Sequence, residues 1–144
     1  MAQTRIADAT ESVEDFFARY TRYLTEGNID GLADIYNYPA LAVTAMGCLA
    51  ITEPQQTRDF FQQGRERYHS QAIYGVRARD IVTEIEVPGI WVGHLVLENL
   101  DKSGSPVGQE RNAYQVVTLQ DGTRRIAVST PLDAYPPEQN GNGG

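Results

Sequence analysis

The segment Ser12-Val-Glu-Asp-Phe-Phe-Ala-Arg-Tyr-Thr-Arg-Tyr-Leu-Thr-Glu-Gly-Asn-Ile-Asp-Gly-Leu32 carries the most structural information in the chain. Ser12 and Asp15 have capping-box spacing, with Asp15 in place of the usual Glu or Gln. Val13, Phe16, Phe17, Tyr20, Tyr23 and Leu24 then recur every three to four residues, the period of an amphipathic helix. Gly27 and Asn28 suit its C-terminal end. A second, short helix is predicted from Ile29 to about Tyr36, with Leu32, Ile35 and Tyr36 on one side. Tyr38-Pro39 ends it, because the residue before proline is pushed out of the helical region.

Beyond this segment, Leu41–Thr44 reads as a short strand and Met46-Gly47 as a turn. Thr52-Glu-Pro-Gln55 is a second capping signature, with Pro54 in the first turn, where its missing donor costs little. The third helix runs to about Ser70 with Phe60, Phe61, Gly64 and Tyr68 on one face. Gly64 costs about 1 kcal/mol relative to alanine there, which points to close packing against another element. From Val76 the period changes to two. Four strands are predicted, Val76–Val87, Ile90–Leu100, Gly108–Leu119 and Thr123–Leu132, separated by Pro88-Gly89, Asp101–Pro106 and Gln120-Asp-Gly122. Helices followed by a meander of long strands make an α+β fold, with one sheet face buried on the helices. In Ile90–Leu100 both faces are apolar: Ile90, Val92 and Val96 on one, Trp91, Leu95 and Leu97 on the other. The outer face is therefore expected to be covered by a second subunit, giving a homodimer.

Composition bounds the function. At 144 residues the chain is one domain, placed at 11–133, with residues 1–10 and 134–144 expected to be flexible ends. Apolar residues make up 41% and charged residues 22%, which excludes wholesale disorder. Nineteen acidic against twelve basic residues give −7, which disfavours nucleic acid and anionic membrane as partners. The single cysteine, Cys48, forbids an internal disulfide. No apolar run has signal-peptide or membrane-span length, so a cytoplasmic location is expected.

The order of elements, with Arg19-Tyr20-x-x-x-Leu24-x-x-Gly27-Asn28-Ile29-Asp30-Gly31-Leu32, resembles the nuclear transport factor 2-like superfamily. This group includes ketosteroid isomerases, SnoaL-like polyketide cyclases, scytalone dehydratases and many non-enzymes. The resemblance implies three helices packed in a strongly curved, mainly antiparallel sheet: a cone-shaped, cystatin-like α+β barrel with a pocket at its open end. It also implies a dimer through the outer sheet face. Tyr20 falls where ketosteroid isomerases place the tyrosine that donates to the substrate oxygen. Their carboxylate base falls on Thr44, which cannot act as a base near neutral pH. Their second oxyanion donor falls within Asn112–Tyr114, which holds no carboxyl group. The Asp-Arg-Asp arrangement of limonene-epoxide hydrolases finds Ser129-Thr130 where an acid is wanted.

The candidate catalytic residues are Tyr20, as a phenol donor, and His94, as an acid or base interrupting an apolar strand face. The two are expected to look into one cavity, with Trp91 turned toward the outer interface. Glu98 shares the His94 face but lies about 13 Å along the strand, too far for a direct dyad. Tyr36, Tyr38, Thr44, Phe61, Glu98 and Tyr114 are the candidate ligand-binding residues. The competing assignment for each aromatic is plain core packing. Arg111 beside Glu110 reads as a solvated pair, Cys48 as an inert side chain, and His69 as facing solvent at a helix end. Two distant histidines and one cysteine offer no metal-ligand spacing, and no phosphate loop is present, so no metal and no cofactor are expected. Two functions follow. One is a small-molecule-binding protein for an apolar ligand, or a cofactor-free isomerase, cyclase or dehydratase. The other is a non-enzymatic dimeric scaffold or partner-binding module.

Overall fold

A computed structural model describes residues 9–133. Of the flexible ends expected at 1–10 and 134–144, residues 1–8 and 134–144 lie outside the described residues. Thr10, assigned to the flexible N-terminus, is instead tied down: its backbone N–H donates to the Gly122 carbonyl at 2.9 Å.

Three helices, α1 (Val13–Glu26), α2 (Ile29–Ile35) and α3 (Pro54–Ser70), accompany six strands. These are β1 (Tyr36–Thr44), β2 (Gly47–Ile51), β3 (Gly75–Val87), β4 (Ile90–Leu100), β5 (Pro106–Thr118) and β6 (Arg124–Pro131). The strands form one curved, unclosed sheet in the order β2-β1-β6-β5-β4-β3. All neighbours are antiparallel except β1 and β6. The α+β fold and the curved, mainly antiparallel sheet are as expected, but among the described residues β2 and β3 are the sheet's free edges and the sheet does not close.

Three local differences have simple causes. β1 starts at Tyr36 and runs through Pro39 rather than after it, since α2 has already ended at Ile35. Proline is tolerated there because extended backbone suits its φ. The hairpin partner β2 carries no strand signal in the sequence, because Gly47–Ile51 has neither clean alternation nor length. The α3 cap lies one residue later than the Thr52 signature: Glu53 is the N-cap, and Gln56 Oε1 accepts from the Glu53 N–H at 3.2 Å.

The core sits between α1, α2 and the concave sheet face. Phe16, Phe17, Leu32, Ile35, Trp91, Leu95, Val116 and Ile126 are fully buried. Each such side chain contributes roughly 1.5–3 kcal/mol of transfer free energy. Phe17 is the hub, with its ring 5.7 Å from Trp91 and 5.1 Å from Tyr114.

Trp91 fixes which face of β4 is inside. A Cβ on Gly93 would lie 2.5 Å from Trp91 Cζ2 and 2.2 Å from the Val82 carbonyl oxygen. Only glycine leaves room for the indole to lie along the strand, where its Nε1 donates to Thr83 Oγ1 at 2.7 Å. Trp91, Leu95, Leu97 and Asn99 therefore face in, and Val92, His94, Val96 and Glu98 face out. This corrects the expected orientation. The core contacts of Trp91 outweigh its suitability for an interface.

Candidate functional site

Phe16, Phe17 and Trp91 are fully buried and line neither of the two cavities that the helices and the curved sheet enclose. Two cavities share one wall. The first, about 200 Å³, lies between α3 and strands β3 to β5. The second, about 510 Å³, opens under the β1–β2 hairpin. Tyr20, Phe60, Phe61, Glu110 and Asn112 line both. An apolar cavity of about 150 Å³ holds a benzene ring, so the first lobe suits a ring-sized group.

Strand β5 supplies the polar wall. Alternation sends Glu110, Asn112, Tyr114, Val116 and Thr118 inward. The adjacent Arg111 points out, where its Nε donates to Asp133 at 2.9 Å. The expected Glu110–Arg111 pair does not form, because sequence neighbours on a strand face opposite ways. Glu110 Oε2 instead accepts a short hydrogen bond from the Tyr68 hydroxyl and a second from Asn99 Nδ2 at 3.2 Å. Both donors bond the same oxygen, and Glu110 lines both cavities.

Three further tyrosines line the second cavity with this carboxylate. Tyr20 on α1, Tyr36 on β1 and Tyr114 on β5 are buried together. The Tyr20 and Tyr36 hydroxyls are 3.5 Å apart, at the long limit of a hydrogen bond. Asn112 Nδ2 donates to the Tyr114 hydroxyl at 3.1 Å, so Tyr114 keeps its own proton to give. Burial pushes the Tyr20 phenol well above its ordinary range, and it raises Tyr36 and Tyr114 as well. Burial first and the Glu110 charge second raise Tyr68. These phenols hold their protons at neutral pH, so they act as donors. Glu110 is the acceptor.

The candidates drawn from the sequence divide accordingly. Tyr20, Tyr36, Phe61 and Tyr114 meet at the cavities, with the Phe61 ring 6.4 Å from Tyr20 and 5.9 Å from Tyr36. Thr44 lines the rim of the second cavity, but its hydroxyl accepts from the Met46 N–H at 3.0 Å and so serves the hairpin turn. Tyr38 turns away: its hydroxyl is 2.7 Å from the Ala33 carbonyl oxygen and 2.8 Å from Thr57 Oγ1. His94 does not share a cavity with Tyr20. It sits on the outer face with Nε2 2.9 Å from Glu84 Oε2. Glu98 is also outside, held by Arg77 and Arg79. Hydrogen bonding from Arg77 lowers its carboxyl below the ordinary range.

His69 is not simply solvent-facing, since it stacks on Tyr74 at 4.8 Å beside the first cavity. Gly64 lines that cavity, and an added Cβ would meet only Arg67 at 3.7 Å, so close packing does not explain it. Among the described residues, no group of three or more His, Cys, Asp or Glu could hold a metal ion, and no helix is long and apolar enough to cross a membrane.

The comparisons with known proteins agree with this architecture. The family described as "NTF2-like protein (DUF6841)" matches residues 7–134. The chain belongs to this family. No curated protein matches it significantly in sequence. Among solved structures, an NTF2-like protein with a cystatin-like fold from Novosphingobium aromaticivorans is 9% identical. It superposes with a TM-score of 0.66 over 88% of this chain and 82% of that one. Aln2 from a Streptomyces species is 13% identical, with a TM-score of 0.66 over 83% and 86%. A Catenulispora acidiphila protein in complex with S-DNPA is 14% identical, with a TM-score of 0.63 over 83% and 90%. At these identities the likeness concerns the fold.

Proposed function

We propose that this NTF2-like protein binds a ring-containing carbonyl compound at the mouth of its cone and moves a proton on it without a cofactor. The observation that carries this reading is Glu110, a carboxylate on the wall shared by both cavities, held by Tyr68 and Asn99 and grouped with proton-bearing phenols. A Glu carboxylate beside an apolar ring site is a base, and a buried phenol is an oxyanion donor. In the step proposed, Glu110 removes a proton from the carbon next to the carbonyl. The C–H electron pair moves into the enolate, and the developing oxygen charge accepts from Tyr20. Where the substrate carries a C=C bond β,γ to the carbonyl, the pair is shared over a dienolate, return of the proton from Glu110 to the γ-carbon gives the conjugated isomer, and the Glu110 carboxylate is regenerated. A Catenulispora acidiphila protein of the same fold is solved in complex with S-DNPA, which supports ligand binding at this kind of scaffold.

The test is deuterium exchange into 2-tetralone, a bicyclic ketone with acidic α-protons, followed by NMR in D₂O. The protein is expected to accelerate exchange, and Glu110→Gln is expected to remove the acceleration while keeping the fold. Exchange at the buffer rate, or equal exchange by Glu110→Gln, overturns the proton-transfer reading.

A homodimer through the outer face is the second element of the proposal. Val82, Ile85, Val87 and Ile90 are each at least 40% exposed there, around the His94–Glu84 pair. Sedimentation equilibrium is expected to show self-association that Ile85→Asp weakens. An Ile85→Asp variant that associates like the parent removes this face from consideration.

A further inference from the structure

The two free edges of the sheet are defended unequally. Edge β3 is charged and irregular. Arg77, Arg79, Asp80, Glu84 and Glu86 lie on it, its pairing with β4 is interrupted twice, and Asp80 adopts φ +56°. Charges and bulges of this kind block edge-to-edge pairing. Edge β2 has none of these features. The nine residues Thr44–Thr52 contain no charged side chain and no proline. Leu49 is 59% and Met46 79% exposed.

Among the described residues, the backbone of β2 has no strand partner on its outer side. A two-residue turn, Ala45-Met46, closes the hairpin on the Thr44–Gly47 pair. In a two-residue hairpin that closing pair exchanges hydrogen bonds, and so does every second pair beyond it, Ala42–Leu49 and Ala40–Ile51. The N–H and C=O groups of Cys48 and Ala50 therefore point away from β1. Among the described residues, only Gln56 Nε2 approaches them, at 3.4 Å from the Ala50 carbonyl oxygen.

We infer that β2 pairs antiparallel with β2 of a second copy of this chain, about a two-fold axis at Leu49. In that register Cys48 meets Ala50 of the partner subunit, and the reverse pair forms by symmetry. The outward groups of each copy then satisfy those of the other in four hydrogen bonds. Leu49 opposes its symmetry mate across a non-hydrogen-bonded pair. A second copy meets no like charge in the paired strands, because Thr44–Thr52 carries none, although the chain's net charge is −7. The pairing also completes the site. Leu49 shares a sheet face with Ala42 and Thr44, which line the second cavity, so Leu49 of the partner subunit extends that wall beside Phe60, 62% exposed at the mouth. This contact uses residues separate from those of the outer-face dimer and does not depend on the proton-transfer reading.

Cysteine cross-linking tests the register. Cross-strand partners in a non-hydrogen-bonded pair have Cα atoms about 4.5 Å apart, within disulfide range. Leu49→Cys in a Cys48→Ser background is expected to become mostly dimer on a non-reducing gel after mild oxidation at micromolar concentration. Val107→Cys in the same background, an exposed β5 position, is expected to stay mostly uncross-linked. Equal cross-linking of the two overturns the inference. Ala50→Pro supplies a second arm, because it deletes an outward N–H that the β1 ladder does not use. With circular dichroism unchanged, its mass by sedimentation velocity is expected to fall below that of the parent. An unchanged mass overturns the inference, whatever becomes of the outer-face contact.

Discussion

The two faces of β4 have nearly the same hydrophobicity and opposite fates. Inside lie Trp91, Leu95 and Leu97, all at most 6% exposed; outside lie Ile90, Val92, His94 and Val96, half-buried or exposed. Apolar content does not separate them. The difference is steric: Gly93 provides the space that the Trp91 indole fills, and no residue on the outer face has a matching gap. The same face logic extends to β5, where Glu110, Asn112 and Tyr114 carry the chemistry inward and Arg111 pairs with Asp133 outside.

The largest expected effect breaks the inner face. Trp91→Ala removes a fully buried ring in contact with Phe17 and should cost about 3–5 kcal/mol. His94→Ala, facing outward in an exposed pair with Glu84, should change stability by no more than about 0.5 kcal/mol. Urea unfolding of the two variants measures the contrast, and similar losses would mean that the faces are assigned the wrong way round. Gly93→Ala should fall between them, at about 1–3 kcal/mol, since its Cβ cannot be placed without moving Val82 or the indole.

Much of the fold was legible in the sequence because its signals are local. The Ser12 cap, the Phe16-Phe17-Tyr20 stripe, the Gly27 stop and the four long strands each depend on neighbours within a few residues. The site was only half legible. Tyr20, Tyr36, Phe61 and Tyr114 stood out as aromatics on apolar faces. Glu110 did not, because its partners Tyr68 and Asn99 lie 42 and 11 residues away. Its one readable clue was the two-residue spacing to Asn112, Tyr114 and the buried Val116. His94 went to the wrong face because period-two alternation fixes which residues share a face without saying which face is inside.

The third expected effect separates chemistry from packing on the inner face. The Tyr20 hydroxyl has a 3.5 Å contact with Tyr36, so Tyr20→Phe should cost less than about 1 kcal/mol of stability. If Tyr20 donates to a developing oxyanion, the same variant should lose about 10²–10³-fold in the 2-tetralone exchange rate. A large loss of stability with unchanged exchange would make Tyr20 a core residue and leave Glu110 to act with Tyr114 and Asn112.

The smallest expected effect belongs to the outer face and concerns acid stability. Glu98 lies across the β3–β4 ladder from Arg77, whose Nη2 is 2.6 Å from Oε1, with Arg79 Nε at 3.4 Å from Oε2. The Arg77 hydrogen bond lowers the Glu98 carboxyl in the folded state below the ordinary value of 4.5. A group whose pKa is depressed by folding contributes stability that is fully present above the unfolded pKa and is lost as pH falls through the folded one. Glu98 therefore contributes above about pH 4.5 and loses that contribution progressively below it. Glu98→Gln should unfold at a slightly lower urea midpoint at neutral pH and converge with the parent on the acid side. The Arg pair is solvent-facing, so added salt should shrink the neutral-pH difference. Curves that stay parallel down to the acid limit would show that Glu98 acts through packing on the outer face and that its charge contributes nothing.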